Sequence, residues 1–330
     1  ALACRDDVES RLVVRTGRRW SLDHGPFRRR DFAALPARNW TLLVQGIDLH
    51  LDEGGRLLSL FGFVPKARLD DLMVSYAVPG GGVGPHFDSY DVFLLQGPGR
   101  RRWRIGAQTD LALRDDVPLK ILKHFEPEAE HVLEPGDMLY LPPRYAHEGT
   151  AIDECLTYSI GFRAPAYTEL AAEFLHDLAD GVELAGRYAD PGLAPTRRAG
   201  RLPVRLVDAA EKQLRRMRWQ RRTLEEFLGR YLSEPKNSTL FAPADAPPAA
   251  TLRRALHRDS IRLDRKSRLL YTRGAAYLNG EIYRFPRGVP AWIETLADSG
   301  EARIDAPTPP ELELLRDWIG AGFVRVTGSA

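Results

Sequence analysis

The sequence predicts a β-rich core of the jelly-roll (double-stranded β-helix) type, then a helical region and a smaller winged-helix-like module. Three observations carry that expectation. Between Leu72 and Arg163, short β-rich runs alternate with Gly/Pro turns, the pattern of a sandwich or barrel of many short strands. Within that stretch, His86-Phe87-Asp88 is followed at a distance by His147, as if polar ligands converged in the mouth of an apolar barrel. Beyond it the apolar period changes from two to that of a helix.

Residues 1–69 read as mixed, with one strand at 40–46. Strands are then expected at 73–78, 91–96, 101–105, 131–133, 138–141 and 155–162. Pro79-Gly80-Gly81-Gly82-Val83-Gly84-Pro85 is a turn cluster that fixes where the strand carrying His86 begins. On such a strand His86 and Asp88 share a face while Phe87 packs behind them. Pro135-Gly136-Asp137 opens a short apolar strand that Pro142-Pro143 stops just before His147.

Leu170, Phe174, Leu178 and Val182, with Ala171 and Leu175, recur at helical spacing. After a Pro/Gly-rich linker at 191–203, two apolar runs follow: Leu206, Ala210, Leu214 and Met217, then Leu224, Phe227, Leu228 and Tyr231. They predict one long amphipathic helix. From about Ser238 the chain is smaller and mixed. Strand-like runs at 269–271 and 275–278 precede Asn279-Gly280, a strong hairpin signal, and a further strand at 281–285. Helices at 290–297 and 309–319 and a last strand at 323–326 complete a winged-helix-like pattern. The expected division is 1–165, 166–236 and 237–330.

With 330 residues, 44% of them hydrophobic, the chain can bury a core of two or three domains. A formal charge of +2 gives no bulk argument for nucleic acid or membrane. Cys4 and Cys155 exclude a disulfide framework and fit a reducing cytoplasm. No apolar stretch approaches the length of a membrane span. Ala1-Leu2-Ala3-Cys4 is like a lipoprotein cleavage site, but without a charged and apolar region before it the match is read as chance.

Two histidines and a carboxylate are the set that holds Fe(II) on three adjacent corners and leaves the others open. If buried unpaired in a barrel, each would cost several kcal/mol, a penalty that a dication removes. His24, His50, His124, His131, His176 and His257 are read as surface or core residues. Glu148 is expected to point away from His147.

These motifs carry a resemblance. Gly84-Pro85-His86-Phe87-Asp88-Ser89-Tyr90-Asp91-Val92-Phe93, Gln96-Gly97 and Arg100-Arg101-Arg102-Trp103 resemble the bacterial JmjC ribosomal oxygenases, a cupin-like family. Glu134-Pro135-Gly136-Asp137, Pro142-Pro143, His147-Glu148-Gly149 and Tyr158-Ser159-Ile160-Gly161-Phe162-Arg163-Ala164-Pro165 extend the likeness. It is strong from about Asp70 to Pro165 and looser in both flanks. By comparison the chain begins some tens of residues inside the family's usual start, so early strands are expected to be missing. The likeness is greatest to the ribosomal protein arginine hydroxylases, which use Fe(II), 2-oxoglutarate and dioxygen. It implies metal ligation by His86, Asp88 and His147.

It also implies a site for 2-oxoglutarate, whose distal carboxylate suits an arginine fork with a hydroxyl beside it. Strand alternation sends Arg101 one way and Arg100 and Arg102 the other, and parity alone does not choose between them. The resemblance puts the family's co-substrate arginine on Arg101 and a second co-substrate position on Ser75. If Ser75 faces inward, Met73 and Asp71 do so by alternation, and an inward Asp71 can pair with a substrate guanidinium. Tyr90 continues the His86–Asp88 face and can pack on the alkyl stem. A surface Asp and a core Tyr are the alternative.

The resemblance implies a target arginine in a large-subunit ribosomal protein, the sixteenth, hydroxylated at its β-carbon, with carbon dioxide and succinate as co-products. It also implies a homodimer through the helical region. Hydroxylation of a ribosomal histidine is the alternative among enzymes. From another class, the chain could be a cupin-type regulator that senses a ligand and binds DNA through its tail. Against that, the tail helix carries Glu311, Glu313 and Asp317 against Arg316, whereas phosphate contact needs positive charge. Direct DNA binding and membrane association are not expected.

Overall fold

Alternation of apolar residues builds the first half of the chain into two facing antiparallel sheets. The computed structural model describes residues 1–182, 186–189, 194–236 and 239–328. In chain order the elements begin β1 (Ser10–Thr16), β2 (Arg19–His24), α1 (Arg29–Ala33), β3 (Trp40–Val44), α2 (Ile47–His50) and α3 (Asp52–Ser59). They continue β4 (Leu69–Ala77), β5 (Val92–Gln96), β6 (Arg101–Gly106), β7 (Ala129–Leu133), β8 (Met138–Leu141), β9 (Ala146–Ala151) and β10 (Cys155–Phe162). Seven strands form the larger sheet in the order β2-β1-β3-β4-β10-β5-β8, and three form the smaller, β7-β6-β9.

The registers explain which residues face the core. Ile160 of β10 lies opposite Leu72 of β4 and Phe93 of β5, on the outer face of the larger sheet. There it packs with Leu12, Val44, Leu69, Ile47 of α2 and Phe61. Leu72 and Ile160 are wholly buried, and such burial stabilises by roughly 1.5–3 kcal/mol per side chain. Strand β5 buries Val92 and Leu94 on its other face, where they pack with Trp103 of β6, Leu133 of β7 and Leu141 of β8. That second cluster is the filling between the sheets.

The remaining elements are α4 (Tyr167–Asp180), α5 (Val204–Leu214), α6 (Arg221–Ser233), α7 (Ala249–Leu256), β11 (Ile261–Leu263), β12 (Leu269–Thr272), β13 (Ala275–Leu278) and β14 (Glu281–Arg284). Last come α8 (Ala291–Ser299), β15 (Glu301–Ala302), α9 (Pro309–Gly320) and β16 (Val324–Val326). Packing groups them into two units. The first comprises Ala1–Ala164, Pro235–Leu270 and Ala291–Ala330; the second comprises Pro165–Glu234 and Tyr271–Pro290.

In the first unit α7, α8 and α9 pack with the sheet β15-β11-β16 around Leu252, Ile261, Ile293, Leu296 and Leu315. The same unit ties this module to the barrel: Lys66 Nζ donates to Ala297 O at 2.6 Å, and Arg265 pairs with Asp52. In the second unit the β13–β14 hairpin packs on α6, with Gly229 directly against the Tyr277 ring. Glu226 of α6 takes Arg284 of β14 at 2.7 Å and Arg222 at 3.0 Å. Phe227 is buried beside Phe174 of α4, with ring centroids 5.3 Å apart. The hairpin turn has Asn279 at φ 53° and Gly280 at φ 89°, the doubly positive pair that the dipeptide signals.

Several expectations are corrected. The β1–β2 hairpin and β4's first residues lie where the sequence read as mixed. His86-Phe87-Asp88 is not on a continuous strand: His86 makes one isolated bridge, to His147. The single helix expected across residues 206–232 is two, α5 and α6, because Gln220 and Thr223 form a capping box that starts a new helix. Helix α7 and strand β11 were not anticipated. The packing units group the β13–β14 hairpin with the helices α4 to α6, and the tail with the barrel. Residues 191–193 of the expected linker, and residues 237–238 at the expected boundary, lie outside the described residues.

Candidate metal centre and co-substrate pocket

The turn before His86 ends at Gly84 with φ 79°, a backbone conformation that favours glycine; a Cβ there would also meet Ile121 Cδ1 at 2.9 Å. The chain then docks on β9. His86 N–H donates to His147 O at 2.9 Å, and His147 N–H donates to His86 O at 2.8 Å. Asp88 is fixed by its own carbonyl, which accepts from Arg144 N–H at 2.7 Å. A backbone bridge, not strand alternation, thus brings the three side chains together. One ligating atom from each of His86, Asp88 and His147 lies within 4.8 Å of the others.

Each imidazole is oriented by a backbone carbonyl. Nδ1 of His86 meets Gly84 O and Nδ1 of His147 meets Tyr145 O, both at 2.9 Å. A carbonyl only accepts, so each Nδ1 carries the proton and each Nε2 keeps its lone pair. His147 Nε2 lies 3.7 Å from Asp88 Oδ2. Burial, with the neighbouring His86, pushes the His147 imidazole down to about 3, which keeps it neutral. Burial pushes the Asp88 carboxyl up, against the opposing effects of His86 and of the neighbouring Tyr90. Two imidazoles held by backbone carbonyls and a half-buried carboxylate, with their ligating atoms gathered together, fit a divalent metal.

Arg101 stands deeper in the barrel. It lies on β6 opposite Ala151 and Leu133, while Ser75 lies on β4 in the facing sheet. Arg101 is 4% exposed and Ser75 3%, and Arg101 Nη2 donates to Ser75 Oγ at 3.0 Å. The guanidinium Nε has no partner. Among the described residues no carboxylate pairs with this cation, and burial lowers its affinity for a proton. A wholly buried guanidinium without an anion is a place for an anionic ligand. Arg100 and Arg102, by contrast, are exposed, and Arg100 pairs with Asp153 at 2.9 Å. Glu148 points away from His147, to Arg104.

Asp71 and Tyr90 lie close to each other beside Gly161 of β10. Asp71 is buried on β4, where its Oδ2 accepts from Gly46 N–H and from Lys236 Nζ, each at 3.2 Å. A Cβ built on Gly161 would lie 3.9 Å from Asp71 Oδ1 and 3.8 Å from Tyr90 Cε2, so the two residues border the same small space. Sequence reasoning missed Lys236 as a partner of Asp71. It lies 165 residues away from Asp71 and has no local signal. Trp103, whose ring centroid is 6.0 Å from that of His147, was missed as the wall behind the metal ligands.

A family model described as a JmjC domain matches residues 56–170, and one described as a ROXA-like winged helix matches residues 216–325. The chain is 38% identical over 248 residues to the ribosomal protein uL16 3-hydroxylase of Escherichia coli, covering 74% of this chain and 66% of that protein. It is 41% identical over 197 residues to a probable ribosomal oxygenase of Haemophilus influenzae, covering 58% of this chain and 46% of that protein. The chain therefore spans somewhat less than two thirds of the first relative and under half of the second. The crystal structure of E. coli YcfD superposes with a TM-score of 0.85 at 32% identity, over 98% of this chain and 88% of that one. YcfD in complex with cobalt and 2-oxoglutarate superposes with a TM-score of 0.82 at 31% identity, over 99% and 89%.

Proposed function

Because the chain belongs to the bacterial JmjC ribosomal oxygenase family, we propose that it is an Fe(II)- and 2-oxoglutarate-dependent hydroxylase of a ribosomal protein arginine. The observation that carries this reading is the buried, anion-free Arg101 with Ser75, in the same barrel as the His86–Asp88–His147 cluster. Bound at that cluster, Fe(II) couples oxidative decarboxylation of 2-oxoglutarate to hydroxylation of a C–H bond by dioxygen. Arg101 and Ser75 hold the distal carboxylate of 2-oxoglutarate by charge-assisted hydrogen bonds. Trp103 backs His147 and keeps water from that side. Asp71 accepts the guanidinium of the substrate, and the Tyr90 ring packs beside its stem.

The carboxylate at Asp71 favours an arginine over a histidine target, and the named activity of the E. coli relative supports uL16 and its β-carbon. Mass spectrometry of ribosomal proteins, from cells with and without this gene, tests the reading. The expected result is one added oxygen on a single arginine-containing uL16 peptide. The modification on a histidine peptide would move the assignment to the other activity.

We also propose a homodimer seated on α5. Among the described residues its Val204, Val207 and Leu214 are 62%, 46% and 59% exposed, apolar positions on one helix face, with Glu211 between the last two, that its own unit does not cover. A ribosomal protein substrate fits a cytoplasmic enzyme, and no helix is long and apolar enough to cross a membrane. The tail is read as structural. Its α9 uses Glu311 to cap its own start at Thr308 and to accept from Trp292 Nε1 at 2.8 Å, and offers acidic charge where phosphate needs basic.

A further inference from the structure

We propose that Lys236 is a positioning residue for substrate recognition, whose ammonium holds Oδ2 of Asp71 so that Oδ1 faces the guanidinium of the peptide. The proposal rests on the reading of the site as an arginine hydroxylase and adds to it a residue from outside the JmjC segment 56–170.

The two oxygens of Asp71 have different surroundings. Oδ2 accepts from both Gly46 N–H and Lys236 Nζ at 3.2 Å. Oδ1 accepts no hydrogen bond among the described residues and borders the space at Gly161 that the Tyr90 ring borders from the other side. Tyr90 lies two residues from Asp88 of the metal cluster. One edge of Asp71 is therefore used by the protein, and the other, beside Gly161 and Tyr90, accepts nothing among the described residues. A carboxylate has acceptor sites enough for two cations, one fixed and one brought by a ligand.

Asp71 needs a fixed cation because its surroundings otherwise oppose a charge. It is 5% exposed, with Asp70 next to it on β4, Asp48 of α2 acting on it, and Tyr90 facing it. Burial pushes its carboxyl up, and Lys236 is the first opposing influence. Asp7, Glu9, His50 and Lys266 line the cavity beside it, together with Gln45. Lys236 also reaches Asp70 Oδ2 at 3.5 Å, and Arg268 pairs with Asp70 at 3.6 Å. Without Lys236 the Asp71 carboxyl would take up a proton, and a protonated acid neither attracts nor bidentately accepts a guanidinium. The part of the chain after the helices thus completes a substrate wall that the barrel alone leaves uncharged.

The test is fluorescence anisotropy with a labelled uL16 peptide containing the target arginine, and a control peptide with citrulline in its place. The full chain is compared as wild type, Lys236→Met, Lys236→Arg and Lys236→Met/Asp71→Asn. Steady-state KM values for peptide and 2-oxoglutarate are measured alongside. Lys236→Met should weaken arginine-peptide binding by about 10- to 100-fold near neutral pH. The loss should shrink as pH rises and Asp71 ionises again. Lys236→Arg should keep most of the affinity, the KM for 2-oxoglutarate should not move, and the citrulline peptide should bind all variants alike. The double variant should regain melting temperature but not peptide affinity. Unchanged or tighter peptide binding by folded Lys236→Met overturns the proposal while wild-type binding upholds the arginine reading. A wild type that does not prefer arginine over citrulline overturns that reading, and the proposal with it.

Discussion

Arg101 and Ser75 meet across the two sheets, Nη2 to Oγ at 3.0 Å, in a barrel interior where, among the described residues, no carboxylate accompanies the guanidinium. A buried cation left in that state costs free energy unless an anion arrives. Arg101→Ala should therefore raise the KM for 2-oxoglutarate by about 10- to 100-fold, the value of a lost charge-assisted pair. Arg100→Ala and Arg102→Ala, both at exposed positions, should change it little. Steady-state kinetics with varied 2-oxoglutarate distinguishes the three, and equal effects would show a diffuse positive rim in place of one inward arginine.

His147→Ala should abolish Fe(II)-dependent turnover and leave the sheets folded. The backbone bridge to His86 and the β6–β9 pairing do not need the imidazole, so circular dichroism should be unchanged. Turnover near the wild-type rate would remove the triad assignment.

Asp48 gives a pH signature. It is 8% exposed, accepts from Leu72 N–H at 2.9 Å, and burial pushes its carboxyl up to about 6. A carboxyl whose folded value exceeds its unfolded one contributes stability that is complete below the unfolded value near 3.8 and is lost as pH rises through about 6. Asp48→Asn keeps the acceptor for Leu72 and removes the ionisation. It should be neutral to stability near pH 4 and more stable than wild type by about 3 kcal/mol near pH 8. Denaturant melts at the two pH values measure this, and a pH-independent difference would refute the assignment.

The dimer is best tested on α5. Val207→Glu with Leu214→Glu adds charge at two exposed apolar positions, so the fold should tolerate both while self-association is lost. Phe227 is unsuitable for this purpose because Phe174 covers it within the same unit. Light scattering with a thermal melt reads both quantities. A wild type that is already monomeric at micromolar concentration would end the dimer proposal.

Strands β5, β6, β8 and β10 were legible because their alternation of apolar residues is interrupted by Gly and Pro at the true turns. The β1–β2 hairpin was not, since Arg11-Leu12-Val13-Val14-Arg15 has an apolar run too short to separate strand from helix by periodicity. The break between α5 and α6 was hidden for a related reason: apolar spacing continues across it, and only the Gln220–Thr223 cap shows the restart.

The identity of the metal cluster was in the sequence, because residue types and local turn chemistry fix what His86, Asp88 and His147 are able to bind. The sequence by itself also determined the sheet-forming pattern of the core and the hairpin at Asn279-Gly280, both of which depend on near neighbours. Strand parity left open which of Arg100, Arg101 and Arg102 faces inward, and beside the family likeness it was the tertiary structure that brought Arg101 to Ser75, since the answer depends on which sheet β6 pairs into and in what register. Only the tertiary structure could join Lys236 to Asp71, because a contact between residues far apart in the chain is set by how whole elements pack, and single-residue patterns do not record it.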